Sequence, residues 1–118
     1  MGILDMWKEA RGAVLKRDYE EIVTRMRDSN STTRKAYLSK FREITKEYLP
    51  FYEAASPTDR KRFLKEMRAA SVDLWNDGFW PQAVGIGAAI IHIESCFTPG
   101  DDAAQVKAAT AELFEQEF

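Results

Sequence analysis

The chain has 118 residues, of which 45% are hydrophobic and 31% charged, a composition that fits one folded domain and differs from that of disordered chains. Its single cysteine excludes an intramolecular disulfide, and its first residues lack the basic and apolar regions of a secretory signal peptide. The most apolar stretch, from Phe79 to Phe97, contains polar residues and is shorter than the ~20 residues that a bilayer requires. We therefore expect a single cytoplasmic domain over residues 1–118 with no membrane partner.

Charge is distributed unevenly along the chain, although the net charge is only -2. Residues 1–68 contain 16 Lys and Arg against 11 Asp and Glu, which gives +5, and residues 69–118 contain 1 against 8, which gives -7. Unless the fold pairs these two parts, they should form separate basic and acidic surfaces that attract charged partners.

Apolar residues at helical spacing dominate the start of the chain. A stripe between Ile3 and about Arg17 predicts an amphipathic helix. Asp18 followed by Glu21 has the pattern of an N-cap with its capping-box partner, which would start a second helix that ends near Asp28. One continuous helix and a short helical pair both fit this sequence.

A polar cluster at residues 28–33 predicts a turn, with Ser31 or Thr32 as the cap of the next helix. The apolar stripe of this helix recurs at i, i+3 and i+4. Its members are Tyr37, Leu38, Phe41, Ile44, Tyr48 and Leu49. Pro50 lacks an amide hydrogen and disfavours helical geometry in the residue before it, so we expect the helix to kink or stop there.

The following helix has the strongest start signal in the chain, because Ser56, Pro57 and Asp59 supply an N-cap, a proline at N1 and an acid at N3. We expect it to run to about Asn76. The side chains predicted to face inward are Phe63, Leu64, Met67, Ser71, Leu74 and Trp75. A tight turn at Gly78 should then lead into another helix.

Apolar residues occupy the whole circumference of the predicted helix from about Trp80 to Phe97, which indicates a helix buried at the centre of the fold. Gly85 and Gly87 would weaken a helix interior, so we expect them to allow a neighbouring helix to approach closely. The sequence Thr-Pro-Gly-Asp at residues 98–101 repeats the capping pattern and starts a last helix. We therefore predict an all-α domain of five or six helices in antiparallel hairpins, either a compact helical bundle or a short solenoid-like stack.

The side chains that catalysis requires are scarce in this sequence. His92 and Cys96 are its only histidine and cysteine, and both lie in the helix that we expect to be buried, where a structural role is typical. The acidic pairs at residues 20–21 and 101–102 fit the first turns of helices, where negative charge is stabilising. We predict no catalytic residue, no metal site and no cofactor, and hence a protein that is not an enzyme.

Two groups of residues are candidates for partner binding. The first is a basic run on the helix that starts after Ser56, and its members are Arg60, Lys61, Lys65 and Arg68. Because acidic residues are interleaved with it, a solvated face, a contact for an acidic protein and a nucleic-acid contact all fit this pattern. The second group surrounds the predicted turn and consists of Trp75, Phe79 and Trp80. Such aromatic residues either fill the core between two helices or form a recognition groove.

The function that we predict is a non-enzymatic helical module, adaptor or regulatory, that binds another protein or peptide, with acidic ones among the expected partners. The alternative is a small nucleic-acid-binding or regulatory protein that uses the basic region of residues 34–68. A homodimer is also expected if the acidic part of one copy pairs with the basic part of another.

Overall fold

The computed structural model describes residues 3–27 and 29–116, and the side chains of this part from Arg11 onward. Its helices are α1 (Ile3–Met26), α2 (Ser31–Ala54), α3 (Pro57–Asn76), α4 (Trp80–Cys96) and α5 (Asp101–Ala111), followed by a 3-10 turn at Glu112–Phe114. The described residues contain no strand, which confirms the predicted all-α class. None of the described helices is long and apolar enough to cross a membrane.

Helix α4 lies at the centre of the bundle and packs against α1, α2, α3 and α5. Every residue from Ala83 to Ser95 is buried except Gly87, which is partly exposed. This confirms the central helix expected from its all-round apolar pattern. Helix α1 also packs against α5, from the other end of the chain, so the fold is a bundle rather than a solenoid in which each unit contacts only its neighbours.

Helix α1 is continuous from Ile3 to Met26, so the interpretation of Asp18 as a helix cap was wrong. The acidic pair at residues 20–21 also lies in the helix interior and not in a first turn. Leu15 is buried against apolar side chains of α4 and α5. This packing stabilises α1 close to Asp18, where a break was expected. The first half of the predicted stripe falls on residues 3–10, whose side chains lie outside the described residues.

Helix α2 continues through Pro50 to Ala54, so the helix does not stop at Leu49, which was one of the two expected outcomes. Tyr52, in its last turn, is buried against Phe63 of α3 and Ile93 of α4. Burial of this aromatic side chain stabilises the last turn and offsets part of the cost of the missing amide hydrogen bond.

The start of α3 follows the predicted pattern, because the hydroxyl of Ser56 accepts a hydrogen bond from the amide of Asp59 at 3.2 Å. The start of α2 does not. Its cap is Asn30, whose side-chain oxygen accepts a hydrogen bond from the amide of Thr33 at 2.8 Å. Both predicted caps, Ser31 and Thr32, lie inside the helix.

The connections on either side of α4 depend on glycine. Gly78 and Gly100 have positive φ angles of 89° and 106°, a conformation that favours glycine.

The sequence pattern suggested that Thr98 caps α5, but it does not. Its hydroxyl donates to the carbonyl of Glu94 at 2.7 Å and so caps the end of α4. The acidic pair at residues 101–102 does lie in the first turn of α5, as predicted.

Gly85 is the point of closest approach between α4 and α2. A Cβ atom built on it would lie 2.6 Å from the carbonyl oxygen of Tyr37 and 3.0 Å from the Cβ of Lys40. A Cβ on Gly87 would meet the Cδ1 atom of Ile22 at 3.8 Å, which is an ordinary contact. The expected close approach therefore occurs at Gly85 and not at Gly87.

We expect Gly85→Ala to lower the free energy of unfolding by about 1–3 kcal/mol, because its methyl group overlaps the backbone of α2. Gly87→Ala is the matched control and should be neutral or stabilise the protein by up to about 1 kcal/mol, since alanine is the better helix former. Urea denaturation of both variants measures the difference. Equal stabilities would contradict the packing described at Gly85.

Candidate functional site

A cavity of about 630 Å³ opens where the end of α2, the start of α3 and the end of α4 meet the middle of α1. Ten residues line it, and we call it the arginine pocket: Arg11, Tyr52, Pro57, Thr58, Arg60, Lys61, Leu64, Arg68, Glu94 and Thr98. Four of these side chains are cationic and one is a carboxylate, which gives a formal charge of +3. The pocket is therefore suited to an anionic ligand.

Glu94 is the anchor of the arginine pocket. Its side chain is only 5% exposed, because it projects from the central helix α4. Arg11 donates to its Oε2 atom through Nε, at 2.9 Å, and through Nη2, and Arg68 donates to its Oε1 atom at 2.7 Å. A buried carboxylate is stable only when it is paired and hydrogen-bonded, and here each oxygen has a guanidinium partner.

Arg11 and Arg68 each face the buried carboxylate on one side and solvent on the other. Their side chains are 41% and 53% exposed. A guanidinium group has five N–H donors, and Glu94 accepts only some of them. The two arginines are thus held in place from within while they still present donors to the cavity.

Arg60 is fixed by different contacts. Its guanidinium lies over the rings of Tyr52 and Phe97, at 4.9 Å and 4.8 Å from their centroids. It also donates to the carbonyls of Tyr52 and Glu53, at 2.8 Å and 3.0 Å, and so caps the end of α2. Burial and then the charge of Glu94 raise the pKa of Tyr52, whereas the three arginines of the pocket act in the opposite direction.

The start of α3 forms another wall of the arginine pocket. Pro57 and Thr58 belong to its first turn, and Lys61 and Leu64 follow at helical spacing. Amide groups in a first turn have no carbonyl partner within the helix, and the helix dipole adds partial positive charge. Lys61 is exposed, and within the described part of the chain no hydrogen bond or ion pair engages it.

Three of the four basic residues predicted as partner contacts, Arg60, Lys61 and Arg68, line the pocket together. Lys65 is exposed and does not line it. Sequence reasoning missed Arg11 and Glu94. A carboxylate within an apolar helix is itself a signal, because it needs a cationic partner when the helix is buried. Nothing in the sequence indicated which cation that would be.

Other basic side chains of residues 34–68 are engaged within the chain. Arg42 donates to the carbonyls of Leu113 and Phe114, at 3.3 Å and 3.0 Å, and to that of Gln116. Lys40 forms an ion pair with a glutamate three residues later. The region therefore does not present all of its positive charge to one ligand.

The aromatic residues Trp75, Phe79 and Trp80 lie at the opposite end of α3 from its capped start. They are 46%, 53% and 37% exposed, so they do not fill the core, and the inward orientation predicted for Trp75 was wrong. The rings of Trp75 and Trp80 pack edge to face at 6.5 Å, and the guanidinium of Arg25 lies 4.9 Å from the Trp75 ring centroid. This aromatic patch is separate from the arginine pocket, and a binding role for it stays a prediction.

His92 and Cys96 form a chain of contacts on α4, in which His92 is buried and Cys96 is partly buried. The hydroxyl of Thr110 donates to the carbonyl of Val106, so its oxygen accepts from Nδ1 of His92 at 2.6 Å. The Nε2 atom of His92 then faces the Cys96 sulfur at 3.8 Å. Burial raises the pKa of Cys96 and lowers the pKa of His92, so both are neutral at pH ~7. A neutral thiol is a weak nucleophile.

Comparison with known proteins adds no assignment to these sites: no family model, no curated protein and no solved structure matches the chain. Among the described residues, no group of three His, Cys, Asp or Glu side chains is placed to hold a metal ion.

Removal of one arginine should show how strongly the buried carboxylate depends on its partners. We expect Arg68→Met to lower the free energy of unfolding by about 1–3 kcal/mol, because Glu94 keeps only one cation. The double variant Arg68→Met, Glu94→Gln should recover part of this loss, since the buried charge is gone. Urea denaturation of the wild type, both single variants and the double variant measures the coupling. If the losses of unfolding free energy in the two single variants simply added up in the double variant, Arg68 and Glu94 would not be coupled.

The lowered pKa of His92 predicts a dependence of stability on pH. The unfolded chain binds a proton at this residue more readily than the folded chain, so stability should fall as pH drops through about 6.5. Melting temperatures between pH ~7.5 and ~5.5 measure the effect, and His92→Gln is the control in which it should shrink. A decline of the same size in both proteins would show that another group is responsible.

Proposed function

We propose that this protein is a non-enzymatic module that binds an acidic segment of a partner protein through the arginine pocket. The observation that carries the proposal is the arrangement of Arg11 and Arg68, which are held by buried Glu94 yet remain about half exposed. Cationic side chains that are already ordered lose less conformational entropy on binding than free ones. Arginine is also the preferred partner of carboxylate and phosphate groups, because its planar donors match them.

The composition of the arginine pocket supports binding rather than catalysis. None of the ten residues that line it is a histidine or a cysteine. Its carboxylate, Glu94, accepts hydrogen bonds from two arginines, whereas a general base needs oxygens that are available to a substrate proton. Apart from Glu94, the polar side chains that line the cavity all carry N–H or O–H donors, which recognise an anion without changing it.

The nucleic-acid alternative has less support from the geometry. Binding of a nucleic-acid backbone uses a track of basic side chains that follows successive phosphates. Arg42 is engaged with carbonyls at the C-terminal side of α5, and Lys40 is paired with a glutamate. The expected homodimer stays a prediction, and light scattering of the variants below tests it at the same time.

A matched pair of charge reversals on α3 tests the proposal. Lys61→Glu places a negative charge in the arginine pocket, whereas Lys65→Glu makes the same change on the same helix outside it. With a fluorescent oligoglutamate peptide, we expect Lys61→Glu to weaken binding about tenfold and Lys65→Glu about twofold or less. Wild-type binding should also fall steeply as NaCl rises from about 50 to about 300 mM.

Each alternative gives a different result in that experiment. Absence of oligoglutamate binding, or equal losses in the two variants, would overturn the proposal, because the pocket would then have no special role. Stronger binding of a single-stranded oligonucleotide than of oligoglutamate would favour the nucleic-acid alternative. Circular dichroism should show unchanged helix content in both variants, since both lysines are exposed.

A further inference from the structure

We infer that the group which the arginine pocket takes from its partner is a phosphate monoester, as carried by a phosphorylated serine or threonine side chain. This inference rests on the proposed function and adds the chemical class of the ligand. Three features of the pocket favour phosphate over carboxylate: its charge, the directions of its donors and the helix start in its wall.

The charge of the pocket exceeds what one carboxylate neutralises. Its side chains carry a formal charge of +3 after Glu94 is counted. A carboxylate supplies one negative charge, whereas a phosphate monoester supplies about 1.5 to 2 at neutral pH. Because Coulomb attraction scales with the product of the charges, the phosphate gains more from the same cations.

The donors around the pocket come from separate directions. Arg11 belongs to α1, whereas Lys61 and Arg68 lie two helical turns apart on α3. The two oxygens of a carboxylate lie in one plane with their carbon, but a phosphate monoester has three terminal oxygens arranged around phosphorus. Donors that approach from two helices can each reach a different oxygen of a tetrahedral group.

The start of α3 supplies a feature that suits phosphate in particular. Thr58 lies in the first turn, beside the cavity, where its amide has no carbonyl partner within the helix. The hydroxyl of Ser56 accepts from the amide of Asp59, so the cap does not take up the amide of Thr58. Phosphate groups bind at helix starts through such amides and the helix dipole. Here that site coincides with the arginines, which provide an independent anion contact.

The size of the cavity favours a phosphate attached to a chain. A volume of about 630 Å³ is much larger than one phosphate group requires. Leu64, Pro57 and the ring of Tyr52 supply apolar wall next to the cations. Residues that flank a phosphorylated side chain can pack there, which a free phosphate ion cannot do.

Three peptide pools with random flanking residues test the inference, with phosphoserine, glutamate or serine at the fixed central position. We expect the wild type to bind the phosphoserine pool about tenfold more tightly than the glutamate pool, and the glutamate pool more tightly than the serine pool. Lys61→Gln should remove most of this preference, and Lys65→Gln, the matched control outside the pocket, should retain it. In amide NMR spectra, the phosphoserine pool should shift the Thr58 resonance, which marks the helix start as part of the site.

The possible results separate this inference from the function on which it rests. Equal binding of the phosphoserine and glutamate pools, with a loss in Lys61→Gln, would overturn the phosphate inference and leave the acidic-partner proposal intact. Binding to vesicles that contain phosphoinositides, without binding to phosphoserine peptides, would overturn the inference in favour of a lipid phosphate. Binding of none of these probes would overturn both. An unshifted Thr58 amide would remove the helix start from the site.

Discussion

The structure depends on the burial of α4, in which every residue from Ala83 to Ser95 except Gly87 is buried. Helix α4 has no polar face, so all four other helices have to cover it, and each of them packs against it. The approach of α2 is close enough to require glycine at position 85, where a Cβ atom would meet backbone. Burial of this much apolar surface gives a hydrophobic stabilisation that outweighs local signals for ending a helix. It explains why α1 is unbroken at Asp18 and why α2 continues past Pro50.

The same constraint produces the arginine pocket. A glutamate in the buried part of α4 would be costly if it stayed unpaired, and the fold supplies cations from α1 and α3. Both arginines extend over the edge of the core toward solvent. Neutralising one buried charge with two cations leaves an excess of positive charge at the surface, and Arg60 and Lys61 increase it. The structural role and the proposed binding role of Arg11 and Arg68 therefore have one origin.

The basic first part and the acidic second part of the sequence partly neutralise each other through ion pairs within the fold. Within the described residues, Lys16 pairs with Asp102 at 3.7 Å, and Glu94 pairs with Arg11 and Arg68, so that the basic first part contacts the acidic second part. The two parts consequently do not form two unmixed surfaces. The pocket keeps a formal charge of +3, while Trp75, Phe79 and Trp80 are exposed at the far end of α3.

Local signals in the sequence determined which segments become helices, where α3 starts and which helix is central, because periodicity and capping act within one or two turns. They also placed Lys61 and Arg68 on one helix, two turns apart. They did not show that α2 continues past Pro50 or that Trp75 is exposed. Only the tertiary structure decided the site itself, because Arg11 and Glu94 are 83 positions apart and no local pattern links them. The need of a buried carboxylate for cations follows from chemistry, but the helices that supply those cations follow from how the bundle packs.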